Sequence, residues 1–312
     1  MWEPPAPTGL GLPTPRPPER RLASSTRRKN DPAHTARVAA RLEIDRGLVQ
    51  AWGGIQEKEE DGWLMRFSKA HSRRGNAVYP LGEGLHPLEK KVEVVEKLYV
   101  SRKLRPIFRM TVYTQPPGFD KLLADSGYAR VERTSVDTLD LTAPPRADLE
   151  EALAGPVSAG RVEARAQLTR GWVDLTAKWR GHAGEKANPA RPELLRAFRH
   201  PVEHCLWVQG SRPRAAAVLC VDAASKTAWV FELTGDAAAA TLAGAEAGRR
   251  SAEPGADPRL LLVHGLAQRC RRSGVHRLVV ETDMEQTLGE ELREQVGFEE
   301  RYRYWYRAKM FF

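Results

Sequence analysis

Long apolar runs are missing from this 312-residue chain: no stretch approaches the roughly 18 consecutive apolar residues that a membrane helix needs. Nothing near Met1 has the apolar middle of a signal peptide, and Arg20-Arg21 is followed by small and charged residues, which argues against an export signal. A soluble, cytoplasmic protein with no membrane partner is expected. Cysteine is scarce too: Cys205, Cys220 and Cys270 are odd in number and far apart among apolar neighbours, which excludes a disulfide framework and a zinc cluster and leaves buried reduced thiols. No phosphate-binding Walker loop, no GxSxG elbow and no dinucleotide fingerprint occurs. Lysine is sparse, 12 residues against 37 arginines, which in an alanine-rich chain reflects a GC-rich genome; the net charge of +9 is modest, so a nucleic-acid partner is not expected.

The chain is long enough for two domains, and its 41% apolar content can give each a core. Residues 1–32 hold eight prolines and almost no large apolar side chain, so a disordered basic tail is expected there. The Pro-, Ala- and Gly-rich stretch 142–160 reads as a linker, dividing residues 33–141 from residues 161–312. The first half reads as helix, hairpin, helix, strand, helix, strand, with Pro87 opening the second helix and Gly127 ending the third. After the linker two short helices lead into the strands CLWVQG, AAAVLCVD and TAWVFELT, then a long helix from Pro258, a strand, a helix ending at Gly297 and a tyrosine-rich strand. Pro87 lies 40 residues before the Gly-Tyr pair at Gly127, and Pro258 lies 39 before the Gly-Phe pair at Gly297, which points to an internal duplication.

On these motifs the second half resembles the GNAT superfamily of acyl-CoA-dependent N-acetyltransferases. The first half, through DGWLMRFSKAHSRRGNAVYPLG, VEKLYVSRKLRPIFRM and FDKLLADSGY, is similar to the amino-terminal domain of a tandem-GNAT subfamily. The resemblance implies an α/β (α+β layered) fold with two tandem GNAT-like domains, mostly antiparallel mixed sheets flanked by helices. It also implies acetyl-CoA as co-substrate, an amine-bearing acceptor and an acetyltransferase in residues 161–312. In that fold a strand parts from its neighbour and holds pantetheine through its free backbone groups, and the following helix end takes the pyrophosphate. Leu233 and Thr234 are the implied pantetheine contacts.

The pyrophosphate loop departs from the superfamily pattern. Laid on Q/R-x-x-G-x-G/A, the chain has Ala252, Gly255 and Asp257, so only Gly255 survives, and Asp257 is a good helix cap beside which a phosphate is poorly placed. Arg249, Arg250 and Arg259 are the candidates to supply the missing charge, against solvated arginines on a long loop, 235–256. Glu232 occupies the position where some relatives keep a general base; its alternative is a structural carboxylate paired with arginine. The relatives' general-acid tyrosine is replaced by Arg293, which leaves Tyr302, Tyr304 and Tyr306 on one strand face, with Tyr304 the candidate, against plain aromatic packing. Two further readings stand: a degenerate member without catalysis that binds a ligand or partner, and an arginine-rich nucleic-acid binder using the tail and the basic turn around His71, Arg73 and Arg74. The HPVEH run at His200–His204 has the letters of a zinc protease site, but Pro201 and the strand that follows exclude the helix this would need.

Overall fold

The computed structural model describes residues 32–114, 116–145, 160–181, 188–236 and 257–309. The expected tail, 1–32, lies outside these except for Pro32, as does most of the linker expected at 142–160. Two compact units divide the chain, residues 1–44 and 45–312. In the first, the described residues form the opening turns of helix α1 (Pro32–Ala51). The other described helices and all the described strands lie in the second.

Its first half runs through β1 (Gln56–Glu60), β2 (Trp63–Phe67), a short 3₁₀ turn (Arg74–Asn76), β3 (Val78–Pro80), α2 (Leu88–Ser101), β4 (Ile107–Thr111), α3 (Phe119–Asp125) and β5 (Tyr128–Asp140). The second half begins with β6 (Arg161–Arg165), α4 (Arg170–Trp179) and α5 (Arg191–Leu194). It continues through β7 (Val202–Gln209), β8 (Arg212–Asp222), β9 (Thr227–Gly235), α6 (Pro258–Arg272), β10 (Arg277–Asp283), α7 (Leu288–Val296) and β11 (Glu299–Lys309). Strand β1 is wholly polar (QEKEE) and mostly exposed at a sheet edge, so no apolar alternation announces it. The segment holding His200–His204 enters β7, so the spacing that a helical zinc site needs is absent there.

All eleven strands belong to one sheet, in the order β1-β2-β3-β4-β11-β5-β10-β9-β8-β7-β6. In both halves an antiparallel three-strand meander (β1-β2-β3, β7-β8-β9) precedes a long helix, and the strand after that helix pairs in parallel with the third. The same strand order on both sides of the centre is what a duplicated fold requires. Gly127 and Gly297 follow the matching helices α3 and α7, both at positive φ (81° and 85°), a backbone state that glycine adopts without a Cβ clash.

The closing strands are exchanged. β11 lies between β4 and β5, and β5 between β11 and β10, so each half's sheet is completed by the other's last strand. Side chains fasten the exchange: Trp305 Nε1 donates to Asp120 of α3 at 2.7 Å and Arg307 Nη2 at 2.8 Å, while Arg293 of α7 donates to Asp137 of β5 at 2.9 Å. One core packs α6 and α7 on β7–β10, built from Leu260, Leu261, Val263, Leu266, Leu278 and Leu292 among others; a second packs α2 and α3 on β2–β4 around Phe108, Phe119 and Tyr99. Burying such apolar area, at about 25 cal/mol per Å², is the main drive for this packing. Cys205, Cys220 and Cys270 are free and buried, and burial pushes their thiols up to about 12. No described helix is long and apolar enough to cross a membrane.

Candidate functional site

Strands β9 and β10 pair in parallel from Thr227↔Arg277 to Val230↔Val280 and then part. Beyond that point β10 stays on β5 as far as Asp283↔Thr134, and β9 stays on β8 as far as Gly235↔Ala215. Among the described residues the edge of β9 from Phe231 to Gly235 therefore has no strand partner on the β10 side. A bulge sits at the parting point: Phe231 pairs with Val218 and Thr234 with Ala216, so Glu232 and Leu233 together face Ala217. Glu232 is left-handed, φ 55°, a conformation that a non-glycine residue holds only when its surroundings impose it.

A cavity of about 460 Å³ opens beside the parted strand, lined by Leu233, Thr234, Gly235, Asp257, Pro258 and Arg259 among others. Of the expected cofactor contacts, Leu233, Thr234 and Arg259 thus come together here. Arg249, Arg250 and Gly255 lie outside the described residues. The helix end is not bare: Asp257 caps α6, its Oδ1 accepting from the backbone N–H of Arg259 at 2.8 Å. The Arg259 guanidinium is folded back onto the same carboxylate, Nη2 to Oδ2 at 2.7 Å, and Nη1 donates to Gln286 at 2.9 Å. Donors that a pyrophosphate would use at this helix end already serve a carboxylate of the chain. The parted strand fits a pantetheine arm; the helix end, as folded, does not fit a phosphate.

Glu232 lines a second, larger cavity of about 650 Å³, walled by residues 70–76 and 103–107 of the first half and by Arg180, Asn188 and Arg191 of the second. Arg180 lines both cavities. It caps the carboxyl end of α4, whose other end is fixed by Thr169 accepting from Trp172 N, and a cation is favoured at that helix end. Arg191 opens α5, which the Trp52 indole holds through Leu194 O at 2.9 Å. Glu232 Oε2 is 2.9 Å from Arg191 Nη2 and 3.6 Å from Arg180 Nε, with the Glu232 and Arg191 side chains 10% and 4% exposed. Burial works to raise the Glu232 carboxyl, but the positive field of Arg180, Arg191, Arg74 and His71 outweighs it and holds the group below its usual range. Glu232 is therefore an ionised carboxylate paired with arginine, as its structural alternative has it, and it faces an open cavity, as a base requires.

Tyr302, Tyr304 and Tyr306 are buried on one face of β11, as the alternation implied. The Tyr304 hydroxyl donates to Glu281 Oε1 at 2.7 Å and lines neither cavity. Burial first, then the Glu281 charge, raise its pKa well above the ordinary phenol value. Arg74, part of the basic turn that the nucleic-acid reading would use, instead reaches in to pair with Glu281, its guanidinium over the rings of Trp52 and Phe231. A mid-turn arginine next to exposed Arg73 gave no hint of this. Arg180 and Arg191 were equally hidden, since single arginines in a chain with 37 of them carry no pattern.

No family model and no curated protein matches the chain. Among solved structures it is similar to a GCN5-related N-acetyltransferase from Kribbella flavida, 14% identical, at a TM-score of 0.55 covering 89% of this chain and 96% of that one. It is also similar to a functionally unknown conserved protein from Staphylococcus epidermidis, 11% identical, at a TM-score of 0.51 covering 81% of this chain and 92% of that one. The chain has the fold of the GCN5-related N-acetyltransferases, in agreement with its sequence motifs.

Proposed function

We propose that the protein is a GNAT-type acyltransferase that moves an acetyl group from acetyl-CoA to an amine of its acceptor. The observation that supports this most is the parting of β9 from β10 after Val230 and Val280 at a bulged Glu232–Leu233, which turns an unpaired strand edge toward a cavity. Acetyl-CoA supplies the activated thioester when bound. The backbone of Leu233 and Thr234 orients the pantetheine arm as an added strand would be oriented. Glu232, on the neighbouring cavity, takes the proton from the acceptor ammonium, directly or through water. Tyr304 and Arg74 hold Glu281 below the gap, a role in keeping the strands apart rather than in proton transfer. Arg249 and Arg250 bring positive charge to the phosphates, and Arg259 joins them once released from Asp257.

Asp257 favours a second reading, a ligand-binding or interaction module without catalysis, because it occupies the helix end with negative charge. Calorimetric titration with acetyl-CoA, followed by a screen of amines for thiol release, separates the two. Saturable heat and an amine-dependent release of CoA are expected. Absence of heat or thermal stabilisation at about millimolar acetyl-CoA would leave the second reading standing.

A further inference from the structure

The larger cavity is more than a passage to Glu232. Six of its lining side chains are basic or imidazole, among them His71, Lys103, Arg105, Arg180 and Arg191, against the single carboxylate of Glu232. Arg73 is already matched, by Glu132. Arg180 and Arg191 share Glu232, which leaves that trio with one positive charge in excess. Lys103 and Arg105 stand exposed on the rim with no carboxylate at ion-pair distance among the described residues.

Arg191 makes the imbalance specific. Its side chain is 4% exposed, and Nη2 reaches Thr176 Oγ1 at 3.0 Å as well as Glu232, yet Nε is buried without a hydrogen-bond partner, and so is Nε of Arg180. The contact with Glu232 is an ion pair that is not aligned as a hydrogen bond, since Oε2 also has no hydrogen-bond partner. A buried guanidinium with an unused donor is costly, and a carboxylate or phosphate oxyanion is the group its fork fits best.

Backbone strain points to the same place. Eight non-glycine residues among those described have positive φ, and four of them, Ala70, Ser72, Lys103 and Glu232, line this cavity. The loop that carries Ala70 and Ser72 is pinned by Asn76, whose Oδ1 accepts from Ser68 N at 2.7 Å and whose Nδ2 donates to His71 O and Ser72 O at 2.9 and 2.8 Å. Strain held this firmly on three separate walls of one cavity is the mark of a site shaped for a ligand.

We propose that the acceptor carries an oxyanion, a carboxylate or a phosphate, beside its amine, and that Arg180, Arg191, Lys103 and Arg105 hold it in this cavity with the amine toward Glu232. The proposal rests on the acyltransferase reading for the amine, but not for the anion. Docking of the oxyanion draws the two guanidinium charges away from Glu232, so the carboxylate becomes a stronger base when the acceptor is in place.

The test is calorimetry at low salt without acetyl-CoA, using O-phosphoethanolamine against ethanolamine and β-alanine against β-alaninamide. One oxyanion probe should bind saturably and its partner that lacks the oxyanion should not; which of the two binds identifies the oxyanion. Charge reversal on the rim, Lys103→Glu with Arg105→Glu, should weaken that binding by about tenfold or more while leaving the melting midpoint in place, because both side chains are exposed. Equal binding of probes with and without the oxyanion, binding of neither oxyanion, or indifference to the reversal would overturn the proposal. So would displacement of the probe by adenosine 3′,5′-bisphosphate, which would give the cavity to the phosphates of CoA. Failure of acetyl-CoA to bind, with oxyanion binding intact, would instead overturn only the acyltransferase reading.

Discussion

The two halves of the sheet share a strand order and differ where a long helix begins. In the second half β9 runs nine residues, bulges, and leaves an open cavity before α6. In the first half the matching β3 has three residues, ends at Pro80 and meets β4 through the single pair Val78↔Phe108. Its helix entrance is crossed by the chain's own hydrogen bonds and borders a smaller cavity of about 240 Å³, lined by Asp61, Trp63, His86 and Lys91 among others. Asp61 accepts from Leu85 N at 2.6 Å and His86 N at 3.2 Å, and those backbone bonds, with Lys91, hold its carboxyl well below the usual carboxylate range. Lys91 Nζ donates to the carbonyls of Asp61 and Glu83 at 2.6 and 2.9 Å and lies over the Trp63 ring. Both entrances thus carry an aspartate beside a cavity, but that of the second half is the larger, about 460 against about 240 Å³, and lies along a longer, bulged strand. The frame is common to both halves, while the longer bulged strand and the larger cavity belong to the second.

The largest effect that would sharpen this contrast is expected at Glu232. Glu232→Gln should lower the acetyl-transfer rate by roughly 10²-fold or more with acetyl-CoA affinity unchanged, as loss of a general base does. It also strips buried Arg191 of its counter-charge, so the melting midpoint falls and rates must be measured below it. Equal loss of rate and affinity would return Glu232 to a purely structural role. Next comes the entrance of the first half. Gly84 has φ 75°, and a Cβ there would lie 2.3 Å from Asp61 O and 2.5 Å from Lys91 Nζ. Gly84→Ala should therefore cost more than about 1 kcal/mol of stability by urea unfolding. Acetyl-CoA binding should not change; if it weakens, the first half contributes to the cofactor site and the contrast fails.

A smaller gain is expected from Asp257→Asn. Asparagine caps as well as aspartate, so stability holds, while removal of the charge and release of Arg259 should tighten acetyl-CoA binding by about 0.3–1 kcal/mol in a titration. The smallest effect concerns the fastening of β11. Its hydrogen bonds from Arg307 and Trp305 lower Asp120 from 3.8 to about 2. Because the folded value is the depressed one, this contribution is complete above about pH 3.8 and is lost as the pH falls toward 2. Asp120 is a third exposed, so solvent screening keeps the contribution below about 1 kcal/mol. Melting midpoints of Asp120→Asn and the unmodified protein should converge across that pH range.

Much of the frame was legible because it rests on local signals: Pro87 and Pro258 at helix starts, Gly127 and Gly297 at helix ends, and apolar alternation in β7 to β9. The polar β1 carries no such signal, and β6, in RVEAR, has only two apolar residues. The exchange of β5 and β11 is a choice of partner, which strand composition does not encode. For the site, the resemblance to the GNAT superfamily put forward Glu232, Leu233 and Thr234, and Asp257 showed its capping role by type and place. The arginines around Glu232 stayed hidden because 41 residues separate Arg191 from it, and such long-range pairing leaves no mark on spacing.

Exchanged closing strands also impose an order on synthesis. When residues up to 141 have left the ribosome, β4 has an open edge and β5 has neither of its final neighbours, since β11 and β10 are still to be made. The edge of β4 stays unpaired until residues 299–309 arrive, so the beginning and the end of this sheet are finished together. A chain stopped before β11 would leave the first half unfinished as well as the second, even though every residue of that half had been translated.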